Sequence, residues 1–511
     1  MAVTEGTEVK ALVGGRWVAG SGEPLELRSA WAGRTTATLN RCTTTDVDRA
    51  VAAARAAQEE WAERSLVERV ELLREMHRVV LAHHEELAQA ITLETGKTIN
   101  ETREEILEYT APAYQKAAEE VLRHRGMTLP STQERSNNKR ILLSYRPVGV
   151  VAAITPYNFP TDIASIAIAH AIASANAVVW KPSEWATVSC AMLAGLFAEA
   201  GFPPGVVNLL PGLGDVGAAL AGHDDVDCVF FTGSTATGER VARAAGLKKQ
   251  LLELGGDGPQ IVLADADVDA AVDGAVMGCF YLAGQVCTSA ERILVHDSVH
   301  DEFVAKLKAR AAELRVGDPT DEATDMGPLC NEATLERVVA HIEDARARGA
   351  EVTQFGEPDG VFYPPTVLTG VTPQMRIAQE ETFGPVAPII RISSCEEAIA
   401  IANSSRLGLN AAVYTRDLAT AFRVGEALQH GTVNINETTN YWDQLAPFGG
   451  TGHSGVGREL SGWFLDTFTE SKLLNIDLGD RPKGDRRVMR EADAGGGAGT
   501  GAGESLDTAA P

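Results

Sequence analysis

The strongest constraint on this chain is a set of short apolar runs set between helix-length segments. Residues 148–154 (VGVVAAI), 177–180 (AVVW), 206–210 (VVNLL) and 226–231 (VDCVFF) are largely apolar, without polar alternation. Strands apolar on both faces belong in a parallel sheet covered by helices on each side. A helix pattern over 161–174 separates the first two runs. The theme resumes after about Gly256, in 260–263 (QIVL), 292–295 (RILV), 386–391 (VAPIIR) and 411–414 (AAVY). The sequence therefore predicts an α/β fold with two sheet-bearing regions. Open sheets of this kind bind ligands beyond the carboxyl ends of their strands. Those ends carry polar motifs here: Thr155-Pro156 closes the first run and Lys181-Pro182 the second.

Other segments read less sharply. Residues 11–20 predict a short hairpin around Gly14-Gly15. Asp46 is expected to cap a helix whose apolar stripe is Val47, Ala50, Ala54, Ala57 and Trp61. A second helix carries Val70, Leu73, Val79 and Val80, and 92–122 is expected to be helical again. Residues 471–478 (SKLLNIDL) predict a late strand that could pair with 137–147 in an extension. From about Gly479 the chain turns to charge and then to AGGGAGTGAGES, a composition that buries too little apolar surface to fold.

The 511 residues carry a formal net charge of -25, which repels phosphate backbones and anionic membranes, so no nucleic-acid or membrane partner is expected. No long uncharged apolar run predicts a membrane span, and Met1–Lys10 lacks the apolar core of a signal peptide, so the expected location is the cytoplasm. The seven cysteines are scattered, without CxxC pairs or zinc spacing, so no metal site is expected and most thiols should be reduced and buried.

Several short motifs could carry chemistry. Gly233-Ser234-Thr235-Ala236-Thr237-Gly238 follows a strand and precedes a helix expected to begin near Glu239, a place where free amides suit phosphate. Its GxxxxG spacing is not the usual dinucleotide fingerprint, and taken alone it is also a plain strand-to-helix turn. In Lys181-Pro182-Ser183-Glu184, a carboxylate and an amine beyond a strand could hold ribose hydroxyls, or a serine could simply cap a helix. Cys287 sits in Gly284-Gln285-Val286-Cys287-Thr288 with an open approach, although a single cysteine is more often a buried apolar residue, as Cys279 is read. Glu253, in Leu252-Glu253-Leu254-Gly255-Gly256, is an acid inside an apolar stretch, where burial would make it a usable base; a solvated helix end is the bland alternative. Asn158 lies between Pro156 and Pro160, held where its amide could donate to an oxyanion or cap the following helix.

Taken in order, Asn158, KPSE, GSTATG, LELGG, GQVC, Glu381-Thr382-Phe383-Gly384-Pro385 and Pro447-Phe448-Gly449-Gly450 resemble the aldehyde dehydrogenase superfamily, from Gly14 to about Asn475. The resemblance implies a Rossmann-like cofactor domain (1–127 and 148–255), an α/β catalytic domain (256–470) and a small β oligomerisation extension (128–147 and 471–482), with residues 483–511 as a disordered tail. It implies a homodimer or homotetramer and a small-molecule aldehyde substrate. Cys287 would be the nucleophile, Asn158 and the Cys287 amide the oxyanion donors, Glu253 the base and Glu459 a proton relay. Lys181, Glu184, Gly233, Ser234, Glu381 and Phe383 match cofactor contacts, with Thr155, Gly214 and Leu254 as further candidates. The cofactor would be NAD, which Glu184 favours by repelling a 2′-phosphate, with NADP also accepted by some relatives that carry this acid. Phe159, Tyr281, Trp442 and Phe448, with Ile166 beside them, match a substrate funnel that suits an apolar or aromatic aldehyde. The rival readings are a semialdehyde enzyme, a CoA-acylating enzyme, which usually lacks the base, and a non-catalytic protein on this scaffold.

Overall fold

The computed structural model describes residues 6–132 and 138–479; the expected tail at 483–511 lies outside them. The chain divides into two compact units. The first comprises the chain up to His124 together with Arg146–Glu470, and holds both large sheets. The second comprises Arg125–Tyr145 and the chain from Ser471.

The first large sheet runs in the order Gly455–Val456, Lys249–Glu253, Cys228–Thr232, Val150–Ile154, Ala177–Lys181, Val207–Leu209, Ala11–Val13, Arg16–Val18. Its interior pairs are parallel, whereas Gly455–Val456 at one edge and the Ala11–Val18 hairpin at the other are antiparallel. From Val150–Ile154 the chain builds outward through Ala177–Lys181 and Val207–Leu209, then crosses to Cys228–Thr232 on the opposite side. That reversal sets the ends of Ile154 and Thr232 side by side next to Thr155 and Gly233-Ser234, the place where sheets of this order take their ligands. Helices Asp162–Ala173, Thr187–Glu199, Gly214–Gly222 and Thr235–Ala245 make the crossovers. The strands read as unbroken apolar runs because both faces are covered; Val229, Phe230 and Val178 are fully buried. A buried phenylalanine such as Phe230 contributes roughly 1.5–3 kcal/mol.

The second sheet orders Glu351–Gln354, Thr366–Thr369, Val386–Ile392, Arg292–His296, Pro259–Val262, Asn410–Tyr414, Thr432–Ile435, parallel except for the first pair. A smaller sheet joins Thr7–Glu8, Thr35–Asn40 and Pro24–Arg28. The sheet of the second unit runs Thr469–Asp477, Lys139–Pro147, Met127–Leu129, the last two antiparallel. No helix among the described residues is long and apolar enough to cross a membrane.

Three local expectations need correction. Asp46 does not begin its helix: Thr43 is the N-cap of Thr44–Glu63, and the Asp46 carboxylate reaches back to the Thr43 N–H at 2.9 Å. The segment 92–122 is broken, because Gly96 takes a left-handed φ of 80° and ends one helix before Thr98 caps the next. A π-turn at Glu105–Thr110 then precedes the helix Ala111–Arg123. The helix after the GSTATG motif starts at Thr235 with Ser234 as its cap, earlier than Glu239.

Candidate active site

Cys287 follows a tight turn in which Leu282, Ala283 and Gly284 all have left-handed φ, at 51°, 51° and 72°. Two of the three carry a Cβ, so the surrounding structure must hold them in that conformation. Glu101 does part of this by accepting from the Leu282 N–H at 2.7 Å. Gln285 does more: its amide donates to Leu282 O (3.1 Å) and Pro328 O (3.4 Å), while its carbonyl accepts from the Cys330 N–H (2.9 Å). The Cys287 thiol ends in a pocket and is held well above its ordinary range by burial, then by the carboxylates of Glu381, Glu459 and Glu253.

Asn158 leaves the strand end at Ile154 through the rigid Pro156–Pro160 segment. Its side-chain amide donates to Gln285 O at 3.0 Å, which ties it to the Cys287 loop. Its backbone carbonyl accepts from Lys97 Nζ at 3.2 Å. Lys97 also pairs with Glu105 at 2.8 Å, both side chains at 0% exposure, and lies 3.6 Å from the centroid of the Phe159 ring. Glu105 in turn accepts from the Thr161 and Asp162 amides at 3.0 and 3.1 Å. One buried ion pair therefore fixes both the Asn158 loop and the start of the helix behind it.

Glu253 is the last residue of a strand, not a solvated helix end, and is 3% exposed. Neither carboxylate oxygen has a hydrogen-bond partner among the described residues. Burial first, and the Glu459 carboxylate second, push its carboxyl well above the usual range, against the Arg458 charge and a loosely placed Gly450 N–H. Gly449 lies directly over it, since a Cβ there would crowd Glu253 Oε1. Glu459 rises to about 8 by burial and then by Asp162. Asp162 itself rises to about 8 by burial and then by Glu105, with Lys97 and Lys116 opposing.

Cys287 shares its pocket with Phe159, Ile166, Trp442, Phe448, Glu459 and Asp162. Tyr281 does not line that pocket but stacks on Phe159 at 6.4 Å and donates to Glu104 at 3.3 Å. Phe159 also meets Trp442 edge-on at 5.9 Å.

The cofactor-type residues gather around the first sheet and the Glu381 loop. Lys181 stands 3.6 Å from Glu184. Ser234 caps the helix Thr235–Ala245 behind Gly233, leaving a helix N-terminus suited to a pyrophosphate. Gly214 opens its helix with no atom within 4 Å of an added Cβ. Thr155 is buried, its hydroxyl accepting from the Trp180 indole N–H at 2.9 Å, and Leu254 packs against Gly238. Glu381 accepts from the Gly256 N–H at 3.2 Å, and burial followed by the nearby Glu291 lifts it to about 8. Glu291 holds the same loop by accepting from the Thr382 and Phe383 amides at 3.0 and 2.8 Å. An open helix end, a Lys/Glu pair and a loop acid form a donor set that fits a dinucleotide.

Sequence reading missed Glu101, Glu105, Lys97, Gln285, Glu291 and Asp162. A signal existed for Glu101, since Thr98 and Glu101 form a capping box. Gln285 sits inside a motif already singled out. The others act across long separations that no local pattern records.

A profile described as the aldehyde dehydrogenase family matches residues 17–474. The chain is 39% identical to a betaine aldehyde dehydrogenase of Mesorhizobium japonicum over 478 residues, covering 92% of this chain and 97% of that one. It is 38% identical to a 3-sulfolactaldehyde dehydrogenase of Pseudomonas putida over 479 residues, covering 92% and 98%. Among solved structures, an NADP-dependent enzyme of E. coli superposes with a TM-score of 0.89 at 37% identity, covering 92% of this chain and 98% of that one. A betaine aldehyde dehydrogenase of Staphylococcus aureus bound to NAD+ superposes with a TM-score of 0.88 at 34% identity, covering 93% and 97%.

Proposed function

Because this chain belongs to the aldehyde dehydrogenase family, we propose that it oxidises an aldehyde to the carboxylic acid through a thioester on Cys287, with NAD as hydride acceptor. The observation that carries this reading is a thiol in a pocket with an amide donor tied to its loop and an unpartnered carboxyl near it. The raised thiol needs a proton acceptor, and Glu253 is the base beside it. The Cys287 sulfur then attacks the carbonyl carbon, and the oxygen takes up charge facing the Asn158 amide and the Cys287 N–H. A bound nicotinamide supplies the hydride acceptor that turns the adduct into a thioester. Glu459, next along the buried acids, takes the thiol's proton from Glu253 and passes it outward, which frees Glu253 to act again. Glu253 then draws a proton from water, which attacks the thioester; the acid leaves, and Glu253 returns that proton to the Cys287 thiolate.

Lys181 and Glu184 would hold the adenosine ribose, the amides at Gly233 and Ser234 the pyrophosphate, and Glu381 the nicotinamide ribose with Phe383 beside the ring. Thr155, Gly214 and Leu254 complete that side. Glu184 opposes a 2′-phosphate, so NAD is preferred over NADP; a higher kcat/KM with NADP would overturn this.

The cofactor domain is assigned to 1–127 and 148–255, the catalytic domain to 256–470, and self-association to the small sheet. Phe159, Ile166, Trp442 and Phe448, with Tyr281 behind them, favour an aldehyde with an apolar or aromatic stem, and among the described residues no Lys, Arg or His lines the pocket to hold an anionic tail. Benzaldehyde, hexanal and succinic semialdehyde test this; fastest turnover of the last would refute it. The decisive experiment mixes the protein with NAD and an aldehyde, without CoA, and follows NADH. A CoA-acylating enzyme or a non-catalytic relative would not sustain NADH formation.

A further inference from the structure

The pocket beside Cys287 contains acceptors without donors. Asp162 Oδ1, Gln444 Oε1 and Glu459 Oε2 are each buried and have no hydrogen-bond partner among the described residues. All three residues line the same pocket and are only 6%, 7% and 7% exposed. Polar atoms this deeply buried are ordinarily paired, so an unpaired group points to a ligand that completes it.

Neither the local helix nor a nearby cation accounts for Asp162. It opens the helix Asp162–Ala173, but that helix end is already served by Glu105. Lys97 is committed to Glu105 and to the Asn158 carbonyl. Lys116 acts on Asp162 through its charge alone and forms no hydrogen bond with it. The remaining wall is apolar: the aromatic Phe159, Trp442 and Phe448 stand among Ile163, Ile166, Val286 and Leu460. Aromatic faces attract cations, and a cation beside a buried carboxyl favours its ionised form.

We propose that this pocket selects an aldehyde whose far end carries a primary ammonium group, which donates to Asp162 and Gln444 and lies against the Trp442 ring. The assignment rests on the aldehyde-oxidising reading above and names its substrate class. The same features count against a carboxylate or sulfonate tail, which would find no Lys, Arg or His in the pocket lining among the described residues.

The test uses two isosteric pairs with NAD: 3-aminopropanal against butanal, and 4-(aminomethyl)benzaldehyde against 4-ethylbenzaldehyde. The amine member of at least one pair should show a kcat/KM about tenfold or more above its neutral partner, a margin of the size expected for a charged hydrogen bond. In Asp162→Asn that ratio should fall toward unity. Parity in both pairs, or a ratio that Asp162→Asn leaves unchanged, overturns the proposal. A second measurement needs neither turnover nor a variant. In the wild-type protein, propylammonium should slow alkylation of Cys287 by iodoacetamide, read by mass spectrometry, and propionate at equal ionic strength should not. Equal effects, or protection by propionate alone, overturn the proposal. If no aldehyde yields NADH, the oxidation reading fails, and the alkylation result still decides the tail.

Discussion

Glu253 ends its strand with both oxygens unpaired, so its amide replacement should fit the same space without a new clash. Glu253→Gln is expected to slow the first turnover of NADH, for want of a base to take the thiol proton, as well as the hydrolysis that follows. Steady-state kcat should fall about 100-fold or more, the usual scale for a lost general base; an undiminished steady state would remove Glu253 from the base role. Asp162 and Glu459 give a pH prediction. Each ionises near 4 in an unfolded chain and near 8 in the fold. The folded state therefore holds the proton to higher pH, and stability falls as pH rises from about 4 to about 8. Relative to wild type, Asp162→Asn and Glu459→Gln should gain Tm at pH 8.5, roughly pH-independently above it, and gain little at about pH 4. Thermal melts at the two pH values check the sign. At this scale the sequence was legible where a residue type sits in a dense motif, as for Cys287, Asn158 and Glu253. It was silent on Asp162, because an Asp at a helix start reads as an ordinary cap until its unpaired oxygen is seen in the pocket.

The turn that delivers Cys287 is the element most sensitive to substitution. A Cβ at Gly284 would overlap the Gly384 carbonyl oxygen, and φ there is 72°. Gly284→Ala must therefore displace both the nucleophile loop and the Glu381–Gly384 loop. It is expected to reduce kcat/KM by about 100-fold or more, since misplacement by an ångström has that scale of effect. Gly246→Ala is the matched control: φ is 60° but nothing lies within 4 Å of the added carbon, so the cost should be backbone strain of more than about 1 kcal/mol, with activity kept. Steady-state kinetics and melts on both variants separate the two. Parallel strands were easy to read, because burial on both faces writes an unbroken apolar run. The broken helix at 92–122 was not, since Gly96 alone gives no warning that Thr98 restarts the helix or that Glu105–Thr110 widens into a π-turn. Those deviations serve Glu101, Lys97 and Glu105, whose partners lie at Leu282, Asn158 and Thr161. Contacts of that kind are written in three dimensions and not in local periodicity.

At the scale of the molecule, the sheet of the second unit exposes Leu473, Leu474 and Ile476 at 55%, 50% and 42%. Apolar side chains exposed together along one strand are the surface on which the self-association proposed above would rest. Light scattering should give a mass at least twice that of one chain, and Leu473→Glu should shift it toward the monomer; a monomeric wild type would remove the assignment. The sheet order carries a further consequence. The strand Lys249–Glu253 is covered on its outer side by Gly455–Val456, which comes from near the end of the described chain. During synthesis that edge stays bare while everything between is made, about 10–40 s at roughly 5–20 residues per second. A nascent chain of this design offers an unpaired strand to its neighbours on the polysome for all of that time. Its yield in cells should therefore depend on translation speed and chaperone supply more than on the stability of the finished enzyme.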